Sequence, residues 1–435
     1  MKFISYNNTS FKKTKYYLKL PDQEREVFDI LSSVFHFKVN AYVLEYLINW
    51  DAIPNDPIYK LIFPRKEMLQ PVDYKALRLL YQSGLDDKTL MPFIQKVKKK
   101  MYPEVKHCET SIPKINGVRV KGMYSNFETI VSLFPDPMAK TCHSYCSYCF
   151  RWIMFNNKEA QQNSSYKDPN EPVAFLKAHP EISDVLFTGA DPLVLKAKTL
   201  QKYIDPVLDI DSVKVIRISS KSLGWWPYRF TTDQDADELL ELFRYIQSKG
   251  KHLNLCAHFT HVRELENSVV KEAIKRIRET GTVIRCQGPI VEGINDTPED
   301  WSALWNAQIA HGMVPYYMFI EADHNSESCF RIPLAKALQI FQTAQKQTTG
   351  LARTVRGPVF MNDLHRTLLD GIITIDGQQY FVLKSLQAPP NMAGEGTIKL
   401  IPYSETTKDA GDLIALFSKE SKEETLPVLN LNETA

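Results

Sequence analysis

No run of apolar residues in this sequence is long enough to cross a bilayer. The longest stretches, such as Val314 to Ile320, fall far short of the roughly 20 residues that a spanning helix needs, so no membrane association is expected. Neither sign of charge dominates. Lys and Arg number 53 against 51 Asp and Glu, a balance that leaves no electrostatic footprint for nucleic acid. The first twenty residues scatter lysines among polar and aromatic positions and lack the apolar core and small-residue cleavage site of a secretory leader. Cysteines are few and odd in number, seven, which argues against a disulfide framework and for reduced thiols in the cytoplasm. What remains is a chain of 435 residues, 44% hydrophobic and 24% charged, which is globular in composition and long enough for one α/β barrel with terminal additions.

Organisation follows from periodicity. From Gln23 to about Leu90 apolar residues recur at helical spacing, as in Val27, Ile30, Leu31 and Val34, which predicts a helical N-terminal region interrupted at Pro54, Pro57 and Pro64. Lys96 to Lys121 shows no period and reads as a connector, so residues 1–120 form the N-terminal region. Residues 121–349 alternate β-branched runs with helical patterns. The runs are Thr129–Phe134, Val185–Thr188, Val213–Ser219, Leu253–Ala257, Thr282–Cys286 and Val314–Ile320. The helical patterns include Asp235–Lys249, Leu265–Thr280, Pro298–His311 and Leu334–Gln345. Six parallel strands with right-handed crossovers predict an α/β fold, a partial (β/α)6 barrel whose active face lies at the strands' C-terminal ends. Beyond Gly350 the rhythm stops. Ile372–Ile375 and Tyr380–Leu383 flank Asp376-Gly377 as a hairpin in a small C-terminal α+β element spanning 350–417, followed by a flexible tail at 418–435.

Three cysteines are clustered, Cys142, Cys146 and Cys149, in a C-x3-C-x2-C loop just after the first barrel strand. Thiolates on an irregular loop, with backbone N–H groups free to face the sulfurs, suit an iron-sulfur cluster. Three ligands leave one iron open to the amino and carboxylate groups of S-adenosylmethionine (SAM), whose sulfonium then accepts an electron and releases a 5′-deoxyadenosyl radical. The competing reading is a zinc site completed by His143, although structural zinc usually draws on two separated ligand pairs. Cys108, Cys256, Cys286 and Cys329 stand alone and read as small buried hydrophobes.

With those residues in place the sequence resembles the lysine 2,3-aminomutase family of radical SAM enzymes, from about Asp56 to Gly350. Several motifs carry the resemblance in the family's order: Cys142 to Arg151, Asp184 to Leu193 with Gly189-Ala-Asp-Pro192, Pro227-Tyr-Arg229, and His258-Phe-Thr-His261. Gln287, Gly293-Ile-Asn-Asp296, Pro315-Tyr-Tyr317, Asp323 and Phe330-Arg331 follow. The resemblance implies a [4Fe-4S] cluster on Cys142, Cys146 and Cys149. It implies SAM against Gly189, Ala190, Asp191, His258 and Gln287, with Ala190 replacing the family's second glycine. A small amino-acid-like substrate would be held by Arg151 at its carboxylate and Asp323 at its ammonium, and an electron donor such as flavodoxin or ferredoxin would feed the cluster. Homo-oligomerisation is left open.

The sequence also departs from the family. Where the family carries a glycine-rich stretch with the lysine that binds pyridoxal phosphate (PLP) as a Schiff base, Gly350 to Arg366 has no lysine and no glycine run. Arg353, Arg356 and His365 are no substitute for a primary amine. Lys221 and Lys384 are the lysines considered in its place. The basic residue expected before the first barrel strand is replaced around Tyr124 to Phe127, and no C-terminal cysteine follows Cys329. The expected activity is hydrogen abstraction from an amino-acid-like substrate and its isomerisation, as a 2,3-amino migration if PLP binds and as another rearrangement or epimerisation otherwise. A non-catalytic iron-sulfur redox sensor or scaffold is the alternative.

Overall fold

The computed structural model describes residues 1–84, 87–101, 112–115, 117–149, 165–321, 328–362, 365–387 and 396–408. The expected flexible tail at 418–435 and Cys108 lie outside the described residues.

Burial alternates with period two along the strands of the central region, as in β7 (Asp184–Phe187) and β8 (Val215–Ser220), where Val185, Phe187, Ile216 and Ile218 are fully buried and their neighbours are not. Each buried row packs under the helices on the outer face, leaving the intervening residues on the inner face. β6 (Ile130–Leu133), β7, β8, β9 (His252–His258), β10 (Val283–Ile290) and β11 (Val314–Ile320) pair in parallel, in sequence order. The helices Glu171–Ala178, Ala197–Leu208, Ala236–Ser248, Ser268–Arg278 and Pro298–Ala310 connect them. Local signals set the starts of the last two of these helices. Asn267 accepts the Val269 N–H, and Thr297, followed by Pro298, accepts the Asp300 N–H, as N-caps do. The α/β barrel expected from the rhythm of the sequence is therefore present, with each strand near its expected place.

Two features differ from expectation. A seventh parallel strand, β12 (Arg356–Asn362), pairs with β11 after the helix Leu334–Lys346. The Gly357-Pro358 pair reads as a turn in sequence, yet both residues are buried, and a Cβ on Gly357 would fall 2.8 Å from the Met318 Cβ. The rhythm thus continues past Gly350. The sheet then runs on antiparallel through β13 (His365–Ile375), β14 (Gln378–Gln387) and β15 (Ile398–Pro402), with the expected Asp376-Gly377 turn between β13 and β14. At the other edge β5 (Met123–Phe127) pairs antiparallel with β6. The barrel and its C-terminal extension form one eleven-stranded sheet. Ile320, Leu334, Leu338, Leu369, Phe381 and Ile401 share a core across the junction.

The N-terminal region is helical as expected, with helices Asp22–Leu31, Pro57–Ile62, Pro71–Gln82 and Asp87–Met101. The last of these takes up the start of the expected connector, because Leu90, Ile94 and Val97 fall on one face and pack with Val27, Leu31 and Leu77 while Lys96, Lys99 and Lys100 stay outside. The region also holds a short antiparallel pair, β1 (Ser5–Asn7) with β2 (Lys38–Asn40). A hairpin of β3 (Lys114–Ile115) and β4 (Val118–Arg119) precedes β5. Among the described residues no helix is long and apolar enough to cross a membrane.

Candidate active site

The three clustered cysteines lie on the irregular segment that follows β6 and the short turn Asp136–Ala139. A loop without a ladder must bond its backbone elsewhere, and here the N-terminal region supplies the partners. The Lys38 ammonium donates to Thr141 Oγ1 and to the Cys142 carbonyl, both at 2.7 Å, and the Lys38 carbonyl accepts the Tyr145 N–H at 2.9 Å. Asn40 donates from its backbone N and its Nδ2 to Ser144 Oγ, each at 3.0 Å. Ser147 donates its N–H to the Leu61 carbonyl and its hydroxyl to the Lys60 carbonyl, both at 2.8 Å. Sequence reasoning missed these clamps, whose partners lie about a hundred residues away in the chain.

The Cys142, Cys146 and Cys149 side chains are half-buried on this loop. Burial pushes the Cys146 thiol up to about 12 and holds Cys142 well above the ordinary range; Cys149 adds to the rise at both, and Cys146 to that at Cys142. Lys221 opposes the shift at Cys146 and Lys38 opposes it at Cys142. Three thiolates crowded in this way need a cationic partner, and a ferric or ferrous cluster provides one. The donor set fits a cluster with one iron left open. The fourth ligand proposed for a zinc site is engaged elsewhere. His143 Nδ1 bonds Ser222 Oγ at 2.9 Å, and the ring packs edge-on to Phe3 and stacks on Trp226. Among the described residues no three His, Cys, Asp or Glu side chains converge on a point that a single metal ion could occupy.

Around the loop the strand ends are stitched together by buried polar groups. Asp191, after β7, accepts from Leu193 N at 3.0 Å, Ser220 Oγ at 2.8 Å, Lys221 N at 3.0 Å and Ser222 Oγ at 3.1 Å. Burial raises its pKa against those four bonds. Since the Ser222 hydroxyl proton goes to Asp191, His143 must carry its proton on Nδ1 to bond the same oxygen. Gly189 has φ +150°, and a Cβ there would meet the Met138 carbonyl oxygen at 2.6 Å. The Ala190 N–H bonds that same oxygen at 2.8 Å. Gly189 thus lets the end of β7 lie against the turn that leads into the cysteine loop.

His258, at the end of β9, places Nε2 2.9 Å from the hydroxyl of Tyr148, which stands between two of the cysteines and lies 3.3 Å from Thr260 Oγ1. Burial holds its imidazole well below the usual range, so it is neutral. Gln287 is the register partner of His258 on β10 and is half-buried. Of the residues read from sequence as the SAM cradle, Gly189 and Ala190 abut the turn before the cysteine loop, while Asp191 and His258 bond toward it through Ser222 and Tyr148, and Gln287 stands beside His258. Arg151 and Asp323 lie outside the described residues.

Other motif residues hold the scaffold. Arg229 is buried, bonds the Leu193 and Leu195 carbonyls at 2.9 Å each, and pairs with Asp235 at 2.9 Å. Asn295 ties the Thr260 and Pro289 carbonyls together at 2.8 and 3.0 Å. Lys221 forms a buried ion pair with Glu264 at 2.7 Å, and Glu264 also accepts the Thr260 and His261 N–H groups. Lys384 is exposed on β14, and Arg353 and Arg356 are exposed as well.

A parallel-stranded barrel with three thiols on the loop after its first parallel strand is the construction of a radical SAM enzyme. Comparison with known proteins narrows the class. The chain is 31% identical over 352 residues to an Aquifex aeolicus protein named "Putative L-lysine 2,3-aminomutase", covering 79% of this chain and 82% of that one. It is 26% identical over 221 residues to the L-lysine 2,3-aminomutase of Escherichia coli, covering 50% of this chain and 61% of that one. Among solved structures, Streptococcus suis SuiB bound to S-adenosylmethionine aligns with a TM-score of 0.36 at 10% identity, covering 63% of this chain and 57% of that chain. No family model matches. The chain belongs to the lysine 2,3-aminomutase family of radical SAM enzymes, and membership implies a [4Fe-4S] cluster and SAM.

Proposed function

We propose that this protein reductively cleaves SAM at a cluster held by Cys142, Cys146 and Cys149 and abstracts hydrogen from a small amino-acid-like substrate, which it then isomerises. The observation that carries this reading is the clamped cysteine loop, whose half-buried thiols are flanked by Lys38 and Lys221 and faced by the close-packed end of β7 at Gly189. The cluster, when bound, supplies the electron that breaks a carbon–sulfur bond of SAM. The protein's own residues fix the loop and keep His258 neutral beside Tyr148, whose ring packs edge-on to Phe330. In this reading Gly189, Ala190, Asp191, His258 and Gln287 border SAM, while Arg151 and Asp323 take the two ends of the amino-acid head group.

Covalently held PLP does not fit the lysines considered for it. Lys221 is buried against Glu264, and Lys384 is exposed on β14. The isomerisation proposed is therefore a rearrangement or epimerisation that needs no imine, with electrons delivered by a flavodoxin or ferredoxin.

The test is anaerobic reconstitution with iron and sulfide, followed by dithionite, SAM and a panel of amino acids. Formation of 5′-deoxyadenosine that depends on one of them, with deuterium uptake from solvent, supports the proposal. A full cluster that never cleaves SAM replaces it with the redox-sensor reading, and an internal PLP absorbance band restores amino migration.

A further inference from the structure

Below the mouth, the inner face of the barrel carries three guanidinium groups, Arg285 one pleat beneath the row of His258 and Gln287 and Arg217 a pleat deeper, level with Asn254. Arg217 lies between the outward-packed Ile216 and Ile218, and Arg285 between Ile284 and Cys286, so both project into the lumen. The register row Ser219, Cys256, Arg285 runs beneath the row of His258 and Gln287. Arg366 enters from β13, with its guanidinium 5.1 Å from the centre of the Phe127 ring and 5.2 Å from that of Tyr317. Tyr317 in turn packs on Tyr316 at 4.1 Å, and Arg285 lies 5.9 Å over the Tyr316 ring. The C-terminal strands thereby complete the lumen.

These groups carry unspent donors. Arg217 pairs through Nε with Asp184 Oδ1 at 2.7 Å. Arg366 spends Nη1 on Gln387 Oε1 at 2.7 Å, while its buried Nε has no hydrogen-bond partner among the described residues. Arg285, half-buried, lies over the ring of Tyr316, and among the described residues its guanidinium makes no hydrogen bond or ion pair. All three pull on the same neighbours. Burial raises the Asp184 carboxyl and the Cys256 thiol, and each of the three guanidiniums works against it at both sites. Like charges gathered at reduced dielectric repel, and a buried guanidinium N–H without an acceptor is costly. Planar forks with free N–H groups match the oxygens of a phosphate or carboxylate.

We propose that Arg217, Arg285 and Arg366 form an oxyanion site in the barrel lumen that holds the phosphate or carboxylate of the substrate's distal end. The substrate is then an acidic or phosphorylated amino acid rather than a diamine. The assignment of the occupant as substrate rests on the proposed function, whereas binding of the oxyanion does not.

The test is calorimetric titration of the anaerobically reconstituted enzyme with inorganic phosphate, O-phospho-L-serine, L-glutamate, L-lysine and PLP at constant ionic strength. Phosphate and at least one of the two acidic amino acids are expected to bind, and L-lysine is not. Arg285→Gln and Arg366→Gln, on different strands, should each weaken binding about tenfold or more, with Arg285→Lys intermediate. A fold-disrupting effect in one variant leaves the other to decide. Equal affinity in the wild type and both variants, or no binding of any oxyanion, overturns the site. Binding of PLP and phosphate but of neither acidic amino acid overturns the substrate class. SAM cleavage assayed on the same samples separates the two readings. A protein that makes 5′-deoxyadenosine but binds no oxyanion loses only this proposal, and one that binds oxyanions but never cleaves SAM loses only the proposed function.

Discussion

The side-chain ammonium of Lys38 lies 2.7 Å from the carbonyl oxygen of Cys142. It also holds the hydroxyl of Thr141 at the same distance, so one residue of the N-terminal region fixes the entry to the cysteine loop. Replacing it with methionine keeps the aliphatic stem but strands both acceptors, at a local cost of about 1–3 kcal/mol. We expect Lys38→Met to fold, by far-UV circular dichroism, and to retain less iron and sulfide per chain after gel filtration. Wild-type loading in the variant would show that the clamp has no bearing on the cluster.

Alanine at Cys142, Cys146 or Cys149 should each abolish cluster loading and 5′-deoxyadenosine formation. Alanine at Cys256 or Cys286, buried in strands β9 and β10, should leave the iron content unchanged. Retention of a full cluster by any of the first three variants refutes the ligand assignment.

Gly189→Ala places a Cβ 2.6 Å from the Met138 carbonyl oxygen in a backbone region that favours glycine. Relief requires the turn before the cysteine loop to move. The expected loss is about 1–3 kcal/mol, read from the urea midpoint, together with weaker iron retention. An unchanged midpoint contradicts the packing described for β7.

Burial holds the His143 imidazole down at about 3, whereas in the unfolded chain it titrates near 6.5. Between those values the unfolded state binds a proton that the native state refuses. Stability is therefore complete above about pH 6.5 and is lost as the pH falls, by roughly 1.4 kcal/mol per unit from this residue. Urea unfolding of cluster-free protein at pH 7.5 and 5.0 should show a smaller acid loss in His143→Gln than in the wild type. Equal losses would falsify the buried, neutral assignment.

What could be read in advance depended on the range of the interactions. β11 at Val314–Ile320 and the helix Pro298–Ala310 emerged close to their expected limits because periodicity and caps are local signals. β12 did not, since Gly357-Pro358 resembles a turn until Met318 and Phe341 are seen packed against it. The cysteine spacing announced itself, but the contacts that hold the loop come from Lys38, Asn40 and Lys60, which no linear pattern connects to it. Asp191 was legible as a motif residue, while its four donors, which come from two different strand ends, were not. Arg217 and Arg285 lie in runs legible as barrel strands, but the sequence does not show that they face one another across the lumen with Arg366. Strand pairing and the curl of the sheet bring them together.

The unbroken pairing from β5 to β15 bears on how the polypeptide can be dissected. A fragment ending at Ile320 would bare the edge of β11 and strip Ile320 of the apolar partners that cover it, which invites sticking to other chains. Shortened versions made for crystallisation or fusion should therefore keep everything through Pro402, the last residue of β15.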